Sequence, residues 1–157
     1  QVFKVSSDII SFANDSSYNI VSKLQALVDI SEVKSVTVEY NGAEHTIDIT
    51  HNDSDMTFVL DGQKVDTKIT QAIYKSIVGL AVDGVYKDET LGDTVMKIKY
   101  KGIKSSSDTE IEFKSIDDLY CALIRNGKTE FTIKKSKLNE FMDLFNTYVE
   151  NPEKQGD

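Results

Sequence analysis

The sequence has no tryptophan, one cysteine, one proline and two histidines. A lone Cys121 excludes an intramolecular disulfide, and the cysteine count does not identify the redox compartment. His45 and His51 share one side of an extended segment. Six strand residues span about 20 Å at roughly 3.3 Å each, which excludes a shared metal ion. The longest wholly apolar stretch lies around residues 77–82, far below the roughly 20 residues needed to span a bilayer. No direct membrane insertion by this segment is therefore expected. Basic charge is in deficit, 18 residues against 26 acidic ones for a formal charge of -8, and the lysines are dispersed. That balance repels phosphate backbones and anionic lipid, so nucleic acid is excluded as a partner. The eight glycines fall mostly at turns, without the spacing of a phosphate loop, a dinucleotide fingerprint or a nucleophile elbow.

What is present is strand alternation punctuated by turns. In "VTVEYNG" (36–42), Val36, Val38 and Tyr40 fall on one side of a strand and Thr37 and Glu39 on the other; Asn41-Gly42 then reads as a hairpin turn. "HTIDIT" places Ile47 and Ile49 inward, and "MTFVL" runs to a second turn at Asp61-Gly62. Asp66 or Thr67 is suited to cap a helix striped by Ile69, Ile73, Ile77 and Leu80. The same order recurs. Met96, Ile98 and Tyr100 in "MKIKYKG" precede Ile111 and Phe113, then "LYCALI", the turn Asn126-Gly127, "TEFTI", and a helix striped by Leu138, Phe141, Met142, Phe145 and Val149 with Ser136 as its expected cap.

This recurrence predicts an α+β fold of two repeated units, each an antiparallel meander sheet closed by an amphipathic helix, with separate or merged sheets both open. The expected division is residues 1–32 as the end of a preceding repeat plus connector, 33–84 and 85–151 as the two repeats, and 152–157 as an acidic tail, together one compact body. "VFKVSSDIISFA" matches "EFTIKKSKLNEF", so the chain is read as beginning inside an earlier copy. Val2, Phe3 and Val5 should then pair as an edge strand, followed by a docked helix after Ser7 that opens with Ile9 and Ile10. An edge lacking the rest of its copy exposes backbone groups, which makes Val2, Phe3 and Val5 the candidate interaction edge for a protein partner or for upstream domains of the same protein.

Four other features suggest chemistry, and each has a plainer reading. "NDSDMTFVLDG" is rich in oxygen donors, but counted from Asp53 it places Phe58 and Lys64 where a calcium loop needs glycine and glutamate, so it reads as a solvated turn. Cys121 sits in a continuous apolar run typical of a covered strand rather than of a nucleophile. The histidines read as polar residues at strand ends. Lys97, Lys99 and Lys101 alternate opposite Glu110 and Glu112, which reads as a salt-bridged solvent face. No catalytic residue, cofactor or metal is expected.

The runs "DISEVKSVTVEYNG", "MTFVLDGQKVDTKITQAIYKSIVGLAV" and "DDLYCALIRNGKTEFTIKKSKLNEFM" resemble the bacterial family catalogued as domain of unknown function 4340, over nearly the whole chain. Phe58 stands where that family often has tryptophan, and the proline that the family often has soon after the glycine corresponding to Gly92 is absent. The resemblance implies an extracytoplasmic protein of the cell envelope, anchored by an N-terminal segment and often encoded near transporters. It supplies no catalytic residues. The expected function is a non-enzymatic interaction or scaffold module, the alternative being a ligand-binding or hydrolase-inhibiting domain that uses a groove between the repeats.

Overall fold

The computed structural model describes residues 23–26, 28–52 and 55–152. Nine strands and two helices follow one another as β1 (Val33–Tyr40), β2 (Ala43–Asn52), β3 (Asp55–Leu60), β4 (Gln63–Val65), α1 (Thr67–Val78), β5 (Gly84–Val85), β6 (Thr94–Gly102), β7 (Thr109–Ser115), β8 (Tyr120–Arg125), β9 (Lys128–Lys134) and α2 (Lys135–Glu150). Short 3-10 turns occupy Ile30–Glu32 and Ser105–Ser107. The three hairpin turns that join β1 to β2, β3 to β4 and β8 to β9 have the same backbone. Asn41-Gly42, Asp61-Gly62 and Asn126-Gly127 have φ of 50 and 77, 49 and 82, and 49 and 79 degrees. Two successive positive φ values make a type I′ turn, whose twist matches that of the flanking strands. A Cβ added at any of these glycines would meet no atom within 4 Å, so glycine is needed there for conformation and not for space.

All nine strands form one antiparallel sheet in the order β4-β3-β2-β1-β6-β7-β8-β9-β5. The expectation of two repeated units, each a sheet closed by its own helix, is overturned. β1 pairs with β6, setting Val36 against Tyr100, Val38 against Ile98 and Tyr40 against Met96. The physical reason is that each of these strands would otherwise present an unpaired edge with a row of large apolar side chains beside it; pairing satisfies both backbones and merges both rows. The helices share this single core. Ile69, Ile73 and Ile77 of α1 and Leu138, Phe141 and Phe145 of α2 are buried in the same cluster as Val38, Ile98 and Phe113, and the two helices touch each other. One sheet face is thus covered by both helices, while the alternate positions form a polar, helix-free face.

Local signals decide where the helices begin. Asp66 caps α1 as expected, its Oδ1 accepting from the Lys68 N–H at 2.7 Å. Ser136 is not the cap of α2. Residues up to Lys134 stay extended because Lys134 is paired with Tyr120, and the Lys135 N–H donates to the Leu119 carbonyl at 2.8 Å, so the chain turns into helix directly from β9 with Lys134 in the cap position. The segment at 23–26 is tied to the body on the helix side. The buried Tyr100 hydroxyl donates to the Ala26 carbonyl at 2.8 Å and Arg125 Nη1 to the Gln25 carbonyl at 2.7 Å. Val2, Phe3, Val5 and the helix expected after Ser7 lie outside the described residues. Among the described residues no helix is long and apolar enough to cross a membrane.

Ile98 is fully buried at the β1–β6 seam. Ile98→Ala should destabilise the protein by about 2–5 kcal/mol through lost burial and the cavity left behind. Urea unfolding followed by circular dichroism and by tyrosine fluorescence should move in one shared transition, since both halves lean on this contact. Two separate transitions would contradict a single core.

Candidate functional site

The helix-free face is built by the positions that alternate with the core. On β1 and β2 these are Thr37, Glu39, Glu44, Thr46 and Asp48; on β6 and β7 they are Lys97, Lys99, Lys101, Glu110 and Glu112. Cross-strand register sets Glu39 against Lys97 on one side of β6 and Glu112 against Lys97 on the other. The lysine comb of the sequence is therefore a row of cations between carboxylates. Lys97 Nζ lies 3.7 Å from Glu110 Oε1 and 3.8 Å from Glu112 Oε1. Lys99 pairs with Glu39 rather than with β7, and Lys101 reaches Asp108 at 3.3 Å. The hydrogen bond from Lys99 holds the Glu39 carboxyl below the usual range, and the same bond raises the Lys99 ammonium. Two hydroxyl contacts tighten the array: Thr37 and Thr46 are 3.0 Å apart, and Thr94 donates to Glu112 at 2.6 Å.

At the end of this face, where the β1–β2 turn meets the start of β6, an open cleft of about 370 Å³ is lined by Glu39, Asn41, Glu44, Thr94 and Lys97. Glu39 and Glu44 are direct cross-strand neighbours. Like charges in that relation destabilise a sheet unless something compensates them. This facing pair is a feature that the charge pattern alone did not single out. The signal was nevertheless there, since the two glutamates lie at equal distance from the two-residue turn Asn41-Gly42.

The remaining sequence candidates have structural roles. His45 Nδ1 lies 2.7 Å from Asp61 Oδ2, and its ring packs against Tyr40 and Phe145 with centroids 5.8 and 5.9 Å away. His51 Nε2 lies 2.7 Å from the Val33 carbonyl, at the other end of β2. Asp61, inside the stretch that looked oxygen-rich, accepts from the Thr46 N–H at 2.8 Å and so clips the β3–β4 turn to β2. Cys121 is fully buried, and burial pushes its thiol up. Four strand spacings separate β8 from the histidines on β2, about 19 Å at 4.8 Å each, so no cysteine–histidine pair forms. Among the described residues no three His, Cys, Asp or Glu side chains converge as a metal site requires.

A clamp unmarked by any sequence signal fixes α2. Lys137 Nζ is 2.9 Å from Asp83 Oδ1 and donates to the Ala81 carbonyl at 2.7 Å, while Asp83 Oδ2 accepts from the Lys134 N–H at 2.9 Å. Burial alone would raise the Asp83 carboxyl, but the Lys137 ammonium and the Lys134 amide together lower it. Comparison of the chain with protein-family profiles, with curated proteins and with solved structures finds no match.

Asp83, Asp108 and Asp117 are all held below the ordinary carboxylate range. Groups depressed in the native state contribute stability that is fully present above their unfolded pKa, about 4, and lost as pH falls through the lowered native values. The midpoint of thermal unfolding should therefore fall as pH drops below about 4. Asp83→Asn should flatten part of that fall, because the Asp83 contribution is then absent at every pH. An acid profile unchanged by Asp83→Asn would contradict the clamp.

Proposed function

We propose that this chain is a non-enzymatic interaction module that docks another polypeptide on the helix-free face of its sheet, within a membrane-anchored, extracytoplasmic bacterial envelope protein accessory to a transporter. The observation that carries the docking reading is the ordered charge array on that face. Lys97 and Lys99 are held by carboxylates on neighbouring strands and Lys101 by Asp108 in the β6–β7 connection, so long side chains that would otherwise sample many rotamers are fixed before any partner arrives. A preorganised surface of both signs loses little freedom on binding and selects partners by charge pattern more than by apolar area. The envelope setting rests on the resemblance of the strand and helix runs described above. In the non-enzymatic reading, the side chains that would serve catalysis have other work: both histidines hold strand ends, and Cys121 fills the core.

A second reading, a ligand-binding or hydrolase-inhibiting domain, is favoured by the cleft beside the seam between β1 and β6. There a protruding side chain of a target enzyme, or a small polar ligand, would meet Glu39, Glu44 and Lys97.

Photo-cross-linking in the native cell distinguishes the docking face from the rest of the surface. A cross-linkable residue at Thr50, exposed on the helix-free face, should give an adduct of defined mass; one at Glu140, exposed on α2, should not. Equal yields at both sites, or none at Thr50, would overturn the docking reading.

A further inference from the structure

We propose that Asn41-Gly42 is a covalent modification site: it deamidates spontaneously in the folded protein, while Asn126-Gly127, the same dipeptide in the same kind of turn, is protected. The inference goes beyond the docking reading and does not depend on it. The chemistry needs water and no enzyme. The backbone nitrogen of the glycine forms a bond to the asparagine Cγ, the side-chain nitrogen leaves as ammonia, and water opens the resulting cyclic imide to aspartate or isoaspartate. Glycine favours the closure because no side chain obstructs its nitrogen. Closure also requires the asparagine peptide to rotate out of the type I′ conformation, so the rate in the folded chain follows how readily the turn opens.

Neither exposure nor local backbone tells the two turns apart. Both asparagines are exposed, and their φ angles are 50 and 49 degrees. What differs is the neighbouring strand. The Asn126 N–H donates to the Glu110 carbonyl at 2.8 Å, and its Oδ1 accepts from the Glu110 N–H at 2.8 Å. Asp61 makes the same two bonds with Thr46, at 2.9 and 2.8 Å. In both cases the partner immediately precedes the residue that faces the strand end, since Ile111 faces Arg125 and Ile47 faces Leu60. At the first hairpin Tyr40 faces Met96, so the corresponding partner of Asn41 is Val95. Val95, however, is the extra residue of a β-bulge, where the β6–β7 register shifts between Thr94 and Met96. A bulged residue drops out of the ladder and its backbone is re-aimed. Among the described residues Asn41 makes neither bond. Opening the turn therefore breaks two hydrogen bonds at Asn126 and neither of them at Asn41. An aspartate product fits this turn, as Asp61 does in the same conformation, whereas isoaspartate lengthens the backbone by one carbon. Either product sets a new carboxylate beside Glu39 and Glu44 at the cleft.

The test ages the whole chain at mildly alkaline pH, in native buffer and in denaturing urea, then digests it. Mass spectrometry of the peptides measures aspartate and isoaspartate at both sites in the same sample. In native buffer Asn41 should convert about thirtyfold faster than Asn126, the factor that two ordinary hydrogen bonds imply for the open population. In urea the two rates should agree within about twofold, because both turns are then open and both asparagines precede glycine. A native ratio under about fivefold, the lower limit for two such bonds, would overturn the inference. So would a ratio that persists unchanged in urea, which would trace the difference to sequence rather than to the bulge. Protection of both sites in native buffer would overturn it as well, by showing that the first turn stays closed without its clip.

Discussion

Val38 and Ile98 meet across β1 and β6 with no exposed surface, and through that contact two meanders become one sheet. The hairpins on both sides of this contact share one core with both helices. The strands of each half present a row of large side chains along the seam, and the two helices lie against each other above it. Without the seam, the backbone groups of β1 and β6 would have to be satisfied by water at the middle of the core. The polar face depends on the same register. Glu39 meets Lys99, and Lys97 meets Glu112, only because β1, β6 and β7 align at their present offsets. A slip of one residue would exchange the two faces and destroy the core and the charge array together.

Much of the local structure was legible in the residues. Asn-Gly and Asp-Gly mark the hairpins at 41–42, 61–62 and 126–127 because positive φ at both positions is a backbone requirement that few other residues meet. Asp66 is legible as a cap for a similar reason: its short side chain reaches the Lys68 amide. The helix stripes and the alternation of β1 and β6 identify which side chains are buried. Alternation says nothing about neighbours, however. Val36, Val38 and Tyr40 look the same in a sheet that stops at β1 and in one that continues into β6, so the merger of the two halves was hidden. Ser136 misled because a strong local cap signal lost to strand pairing that kept Lys134 extended.

The site was partly legible in the same sense. The comb of Lys97, Lys99 and Lys101 was readable as an ion-paired face, and the direction of pairing was not, since Glu39 enters only once β1 is known to lie beside β6. The clamp of Lys137 on Asp83 was invisible for want of any sequence rule linking a helix residue to a loop carboxylate more than a strand away. These contacts share one property: each joins residues whose proximity is set by the seam and by the sheet order rather than by local spacing.

The sheet's outermost strands are β4, of three residues, and β5, of two, whereas its central strands run to ten. Backbone hydrogen bonding is the usual means by which sheets recruit one another, and its strength grows with the length of edge on offer. Tapering the array at both flanks leaves little on which a second copy could grow, so the described body is guarded against end-to-end polymerisation even though one face of its sheet is free of helices. Recognition is thereby shifted from main-chain pairing, which accepts nearly any sequence, to side chains, which discriminate. A crowded compartment full of other β-rich proteins would favour that division.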